Sequence, residues 1–206
     1  MTERRRELTA AVLLAFATVA TAWAAYQARQ WTGEQSQGYS RATAARIEGD
    51  RAAAFANRQV QIDVATFIAW IDARAQDRTA LARFYRARFR PEFQPAFAAW
   101  LATRPLQDGA AAATPFALPQ YRLASTRRAQ HLEATAAAAS DGAKDANERA
   151  DNYMLAVVLC ASSLAFAGFT VKVGASAAAS MVLGLGCLFL LAALVWITTL
   201  PVHVST

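Results

Sequence analysis

The chain has 206 residues, of which 55% are hydrophobic and only 17% charged, and its formal net charge is +6. Soluble domains usually carry about 25% charged residues, so this composition argues against an ordinary soluble domain. The apolar residues are concentrated towards both ends, whereas residues 27–152 hold 30 of the 36 Asp, Glu, Lys and Arg residues. This distribution predicts a membrane protein with one polar domain.

Three apolar segments are long enough to cross a bilayer as helices, and they cover residues 8–26, 153–171 and 178–200. A spanning helix needs roughly 20 mostly apolar residues. None of the three contains Asp, Glu, Lys, Arg or His, although ion paths and proton relays usually depend on such residues. A pump or proton-coupled transporter acting alone is therefore not expected. The first segment has an alternative interpretation as a cleaved signal peptide, but it is longer than the usual signal core.

The short connections predict the orientation of the chain. The N-terminal tail, residues 1–7, contains three Arg residues, and the connection 172–177 contains Lys172. The tail 201–206 contains neither Lys nor Arg. Because positive charge is retained on the cytoplasmic side, we expect a cytoplasmic N-terminus and a cytoplasmic second connection. Residues 27–152 and the C-terminal tail would then be periplasmic in a bacterial inner membrane.

The polar domain begins with a predicted long helix over residues 40–75, which contain no Pro and one Gly. Residues 27–37 can extend the first apolar helix outwards. Four large apolar residues follow the spacing of one helix face, with Asp63 expected outside that face. These residues are Val60, Val64, Phe67 and Ile71.

Shorter helices are predicted next, over residues 77–89 and 95–103, followed by an irregular stretch rich in Pro. A final helix is predicted from near residue 120 without a break into the second apolar segment. The prediction is therefore an all-α protein with three transmembrane helices and a helical stalk. The stalk would carry a helical hairpin over residues 60–103, and no strand is expected. Because the Ala-rich helix buries little surface alone, self-association is expected.

The most basic stretch is RFYRARFR at residues 83–90. If it is helical, Arg83, Arg86 and Arg90 share one face and could bind a phosphate or a lipid headgroup. The alternative is a solvated face paired with carboxylates. Since the long preceding helix would hold this stretch far from the bilayer, we predict solvent-facing or intersubunit salt bridges. Nucleic acid is not an expected partner, because the predicted orientation directs the stretch away from the cytoplasm.

Aromatic residues form a second candidate interaction patch. Trp70, Tyr85 and Trp100, together with Phe97, could line a groove for a ligand or an envelope component. Aromatic residues at helical spacing more often belong to a core, so the core interpretation is favoured.

Chemistry-bearing motifs are missing from the sequence. His131 and His203 are far apart in the chain, and Cys160 and Cys187 lie within predicted spans, so neither a metal nor another cofactor is expected. No nucleophile elbow, phosphate loop or HExxH motif is present, and no catalytic residue is predicted. The protein is therefore not expected to be an enzyme, although carboxylates from distant positions could still meet in the fold.

Two functional hypotheses follow. The first is a non-enzymatic structural or accessory membrane protein, acting as a homo-oligomer or as a subunit of a larger complex. The second is an oligomeric channel whose pore is lined by one span from each subunit, with Ser162, Ser163 and Thr170 as candidate pore-lining residues. Rows of small residues in the spans fit helix association in either case.

Three stretches carry a resemblance to a known family: TAWAAYQARQWTGEQ at 21–35, FYRARFRPEFQPAFAAWLATRPL at 84–106 and PFALPQYRL at 115–123. With the start of the second span, they make the sequence resemble a family of uncharacterised bacterial inner-membrane proteins. The resemblance implies three spans with an intervening helical domain. It implies no activity, cofactor or catalytic residue.

Overall fold

The computed structural model describes residues 3–105, 107, 111–172 and 177–203. The fold is all-α and 85% helical, with no strand among these residues. The helices are α1 (Glu3–Ala75), α2 (Thr79–Arg86), α3 (Gln94–Ala102), α4 (Ala124–Lys172) and α5 (Ala177–Thr199), with a 3₁₀ turn at Pro115–Ala117. Three of them, α1, α4 and α5, are apolar and long enough to cross a membrane by length and composition.

The predicted continuity of α4 from the polar segment into the second apolar segment is confirmed. α1 is also unbroken from Glu3 to Ala75, whereas the sequence predicted an extension of the first apolar helix to residue 37 and a helix over residues 40–75. The prediction for α2 was too long, because the helix covers Thr79–Arg86, and residues 87–88 form a turn that is followed by a bend at residue 89. Parts of the predicted tails and of the predicted connection 172–177 lie outside the described residues, which exclude 1–2, 173–176 and 204–206.

The chain divides into two compact units, which we call the apolar unit (Met1–Arg41 with Ala138–Thr206) and the polar unit (Ala42–Ala137). In the apolar unit, α5 packs with the first part of α1 and the second part of α4. Buried residues recur at alternating spacings of three and four, as in coiled coils, and most are small. On α1 and α5 they include Ala10, Leu13, Ala17, Ala20, Ala24, Ala179, Leu183, Gly186, Leu190 and Ala193.

Two glycines show how closely the helices of the apolar unit approach each other. A Cβ atom at Gly38 would lie 2.8 Å from the Cβ of Ala143 on α4. A Cβ atom at Gly186 would lie 3.1 Å from Leu13 Cδ2 and 3.3 Å from Phe166 Cβ, so α5 meets both other helices there. These close approaches depend on small residues, as is usual where helices pack without a hydrophobic driving force.

The polar unit has an aromatic core between the end of α1 and helices α2 and α3. Phe67 is its centre, with ring centroids 5.2 Å from Trp100 and 5.6 Å from Phe116. The fully buried Phe93 stacks on Phe116 at 5.1 Å. Such pairs stabilise the core beyond the area that they bury. The Trp100 indole N–H is also satisfied, since it donates to the Ala112 carbonyl at 2.7 Å.

The predicted core face of α1 is rotated in the structure. Phe67 is buried as expected, whereas Val60, Val64 and Ile71 are only half-buried. The buried positions are Ala56, Asp63, Phe67, Trp70 and Ala73. The placement of Asp63 outside the core face was therefore wrong, and this carboxylate is the most buried charged group among the described residues.

Candidate functional site

The basic stretch does not form one helical face. Arg83 and Arg86 lie on α2 and are exposed, whereas Arg90 follows the helix and is half-buried. The prediction that all three share a face is wrong, because the helix ends before Arg90. The structure therefore divides the stretch into two separate groups of contacts.

Arg90 belongs to a buried network centred on Asp63. Its Nη1 donates to Asp63 Oδ2 at 2.8 Å, and its Nη2 pairs with Glu92. The Tyr121 hydroxyl donates to the same Asp63 oxygen at 2.9 Å. Asp63 is fully buried, and its other oxygen, Oδ1, has no hydrogen-bond partner among the residues that the structure describes. A buried carboxylate of this kind depends on its partners, since an unpaired charge in a core is costly.

Glu92 extends the network to the start of α4. Its Oε1 accepts a hydrogen bond from the backbone N–H of Ala124 at 2.9 Å, and Ala124 is the first residue of that helix. The first N–H groups of a helix lack partners within the helix, and a carboxylate there also interacts favourably with the helix dipole. Nearby, the Ser125 hydroxyl donates to Gln59 Oε1 at 2.6 Å. The network therefore fixes α1, the α2–α3 turn and the start of α4 to one another.

The environment shifts the proton affinities of this network. Burial raises the pKa of Asp63 above 3.8, its ordinary value, although the Tyr121 hydroxyl and the Arg90 cation act in the opposite direction. Burial, together with the hydrogen bond to Asp63, raises the pKa of Tyr121 far above its usual range. Tyr121 is therefore a permanent hydrogen-bond donor, and Asp63 is the group in the pair that can change its charge.

Arg83 and Arg86 line a different feature, a cavity of about 320 Å³ that we call the basic cavity. Its third cation is Arg74 from the last turn of α1. The complete lining is Trp70, Arg74, Thr79, Ala82, Arg83, Arg86 and Leu101, which includes no carboxylate. Within the described part of the chain, none of these three arginines forms a salt bridge. The basic cavity therefore combines three unneutralised guanidinium groups with one hydroxyl and an apolar floor.

Two other cavities of the polar unit differ in charge. A groove of about 590 Å³ between α1 and the start of α4 has Arg51 and Arg128 in its lining, balanced by Glu48 and Glu92. Arg128 lies 3.7 Å from Glu48. A third cavity of about 420 Å³ shares Arg83 and Arg86 with the basic cavity but has no third cation. Only the basic cavity, of those described, places three cations around one space.

The aromatic patch is not an exposed groove. Trp70, Phe97 and Trp100 are buried in the core of the polar unit, and Tyr85 is half-buried. The burial of three of these four rings favours the core interpretation over a ligand groove that they would form. Arg86, one of the residues that line the basic cavity, also contacts this core, since its guanidinium carbon lies 5.7 Å from the centre of the Phe97 ring.

The hydroxyl groups considered for a pore face inwards or bond to their own helix. Ser163 is fully buried, and its hydroxyl donates to the Gly186 carbonyl on α5 at 2.8 Å. Thr170 is buried and bonds to the Phe166 carbonyl, while the Ser162 hydroxyl bonds to the Val158 carbonyl. Ser163 and Thr170 therefore pack inside the apolar unit, whereas a pore shared between subunits would need them on its outer face.

The segment after α5 is held against the other two helices of the apolar unit. The Gln27 side chain accepts from the His203 N–H at 2.9 Å and donates to the His203 carbonyl at 3.5 Å. The Tyr153 hydroxyl donates to the Pro201 carbonyl at 3.3 Å. The His203 ring contacts Trp31 edge-on, at a centroid distance of 5.0 Å. We call this set of contacts the tail clasp.

No protein-family model, curated protein or solved structure matches this chain. The fold itself defines the class of the protein, which is all-α with three long apolar helices. The resemblance to a family of bacterial membrane proteins stays a prediction.

Sequence reasoning missed three residues of these sites: Asp63, Tyr121 and Arg74. Asp63 could have been found, because it lies four residues before Phe67 and seven before Trp70, on the same helix face. Tyr121 and Arg74 carry no comparable signal, since they meet their partners only through the tertiary fold.

Proposed function

We propose that the protein is a non-enzymatic structural or accessory membrane protein, in which α1, α4 and α5 each contribute one span and residues 27–152 lie outside the bilayer. The observation that carries this proposal is the inverted packing of the apolar unit. Its exposed faces carry large apolar side chains, whereas most of its buried residues are small, with a few leucines such as Leu13, Leu183 and Leu190 among them.

The exposed apolar residues are numerous and distributed over all three helices. Examples are Phe16, Val19 and Met181, which are 64%, 70% and 73% exposed. In water, an apolar surface of this extent would favour aggregation, whereas acyl chains solvate it at no cost. The Ser163 hydroxyl also fits a bilayer, because it is buried and its hydrogen bond to the Gly186 carbonyl satisfies it away from lipid.

The proposed compartment is a bacterial inner membrane, with the N-terminus in the cytoplasm and residues 27–152 in the periplasm. Three arginines at positions 4–6 and Lys172 support this orientation, because positive charge near span ends is retained in the cytoplasm.

Assembly with a second copy or with other membrane subunits is the remaining part of the proposal. Four apolar side chains on α1 within the polar unit are about half exposed, and a partner could cover them. These side chains are Ile47, Phe55, Ile62 and Ile68. Single exposed apolar residues are also common on the surfaces of soluble proteins. Assembly is therefore tested by measuring the oligomeric state and any copurifying protein.

The full-length chain should remain in the membrane pellet after an alkaline carbonate wash and should leave it only in detergent. With both native cysteines replaced by Ala, a single Thr43→Cys variant should react with a membrane-impermeant maleimide in intact cells. A Thr2→Cys variant, in the N-terminal tail, should react only after lysis. Extraction by carbonate would refute the membrane anchor, and reversed labelling would refute the orientation. A monomer in mild detergent with no copurifying protein would refute the assembly.

A further inference from the structure

We propose that the basic cavity is a binding site for a phosphate-bearing anion, most simply a small phosphate monoester with an apolar substituent. The proposal does not depend on the membrane topology, because every residue of the cavity belongs to the polar unit.

The first argument is electrostatic. Residues 70–90 contain six Arg and two Asp, so this segment alone carries a formal charge of +4. Arg90, which is half-buried, has carboxylate partners, whereas the exposed Arg74, Arg83 and Arg86 have none among the described residues. Three cations around one cavity repel each other, and an anion between them would remove that repulsion.

The second argument is geometric. Arg74 comes from the end of α1, whereas Arg83 and Arg86 lie three residues apart on α2, so the cations reach the cavity from two helices. Planar guanidinium groups match pairs of phosphate oxygens, and the Thr79 hydroxyl can donate to a further oxygen. A row of arginines along one exposed helix would offer no such convergence.

The third argument concerns size and lining. The volume of about 320 Å³ lies near the lower end of the range for small-molecule sites, roughly 300–1,000 Å³. Three of the lining residues, Trp70, Ala82 and Leu101, are apolar, and we call them the apolar floor of the cavity. An inorganic anion would leave this floor uncovered, whereas an ester with a small ring or alkyl group would cover it.

The test is calorimetric titration of the detergent-solubilised full-length chain with phenyl phosphate. We expect saturable binding, weakened at least about tenfold in the Arg83→Gln/Arg86→Gln variant, since hydrogen bonds to charged groups are strong. The matched control is Arg46→Gln/Arg58→Gln, which removes the same charge from exposed positions on α1 that lie outside the cavity and far along the helix from Arg74. Its affinity should stay within about twofold of the parent, because distant surface charges are screened.

Two further variants separate binding from folding and locate the anion. Arg83→Lys/Arg86→Lys keeps the charge and loses the planar forks, so intermediate weakening is expected even if the Gln variant is unstable. Arg74→Gln should weaken binding as well, because Arg74 lines this cavity and not its neighbour of about 420 Å³. Unchanged affinity in Arg74→Gln would overturn the assignment to the basic cavity.

The source of the phosphate is distinguished by a second probe, glycerophosphoglycerol, the water-soluble headgroup of an anionic lipid. Stronger binding of phenyl phosphate indicates a soluble monoester as the natural ligand. Equal or stronger binding of the headgroup indicates a lipid, and either result supports a phosphate site. Absence of saturable binding for both probes would overturn the proposal, as would equal losses in the cavity variant and its control.

Discussion

Replacing Arg90 by Leu should destabilise the polar unit more than any other arginine substitution in the segment 74–90. The change removes the cation that contacts Asp63 and leaves a carboxylate whose side chain is 1% exposed without a countercharge. Breaking a buried ion pair from one side typically costs about 3–5 kcal/mol. Because Arg90 is one-fifth exposed and Tyr121 still donates to Asp63, we expect a loss near the lower limit, about 3 kcal/mol.

The loss should depend on pH in a specific direction. Burial already raises the pKa of Asp63 in the folded protein above its ordinary value of 3.8, and removal of the Arg90 cation raises it further. A group whose pKa is raised by folding stabilises the fold below its unfolded pKa, and this contribution is lost as the pH rises through the folded pKa. The defect of Arg90→Leu should therefore shrink as the pH falls from neutral towards 4. Asp63 should also make the parent protein more stable on mild acidification.

Hydrogen exchange followed by mass spectrometry can measure this loss in the detergent-solubilised full-length chain. Peptides from residues 60–103 should lose protection by roughly 100-fold at neutral pH, which corresponds to about 3 kcal/mol. Arg88→Leu is the control, because Arg88 is exposed and contacts only its own neighbourhood among the described residues: it stacks on the Phe84 ring at 3.5 Å and donates to the Phe84 carbonyl at 3.3 Å. A neutral-pH loss below about 1 kcal/mol, or a loss that does not diminish in acid, would refute the reasoning about the buried pair.

Close packing and the aromatic core give two further predictions. Gly38→Ala should destabilise the apolar unit by about 1–3 kcal/mol, because the added Cβ would lie 2.8 Å from the Cβ of Ala143. Gly33→Ala meets open space and should be neutral or stabilising by up to about 1 kcal/mol, so equal shifts in thermal midpoint would contradict the close-approach argument. Phe93→Ala should cost the polar unit about 3–5 kcal/mol, since the ring is fully buried. Phe84→Ala, at a half-exposed position, should cost less than about 1 kcal/mol, and similar losses of hydrogen-exchange protection at both positions would argue against the assigned core.

The long helices were predictable because local properties dominate in them. The absence of Pro and the abundance of Ala indicated that α4 would continue from the polar segment into the second apolar segment, as it does. The end of α2 was less predictable. The prediction extended it to residue 89, whereas the structure ends it at Arg86, three residues earlier.

The sites were less predictable than the helices, because their residues are far apart in the sequence. Asp63 meets Arg90 across 27 positions and Tyr121 across 58 positions. A search for local patterns grouped Arg90 with Arg83 and Arg86, whereas the fold pairs Arg90 with carboxylates and brings Arg74 to the other two. Residue types therefore indicated where cations are abundant, but only tertiary contacts decide which cations are neutralised.

The tail clasp has a consequence for how this protein can change in evolution. Tyr153 binds the carbonyl of residue 201, and Gln27 binds the carbonyl and the N–H of residue 203. These are main-chain groups, which every residue type has, except that proline lacks the N–H. Substitutions at position 201 should therefore accumulate with little selection against them. Gln27 and Tyr153 should be retained together, because losing either would leave main-chain groups of the tail unsatisfied. In a set of related sequences, an invariant Gln and Tyr on two helices, beside a variable tail, would be the expected pattern.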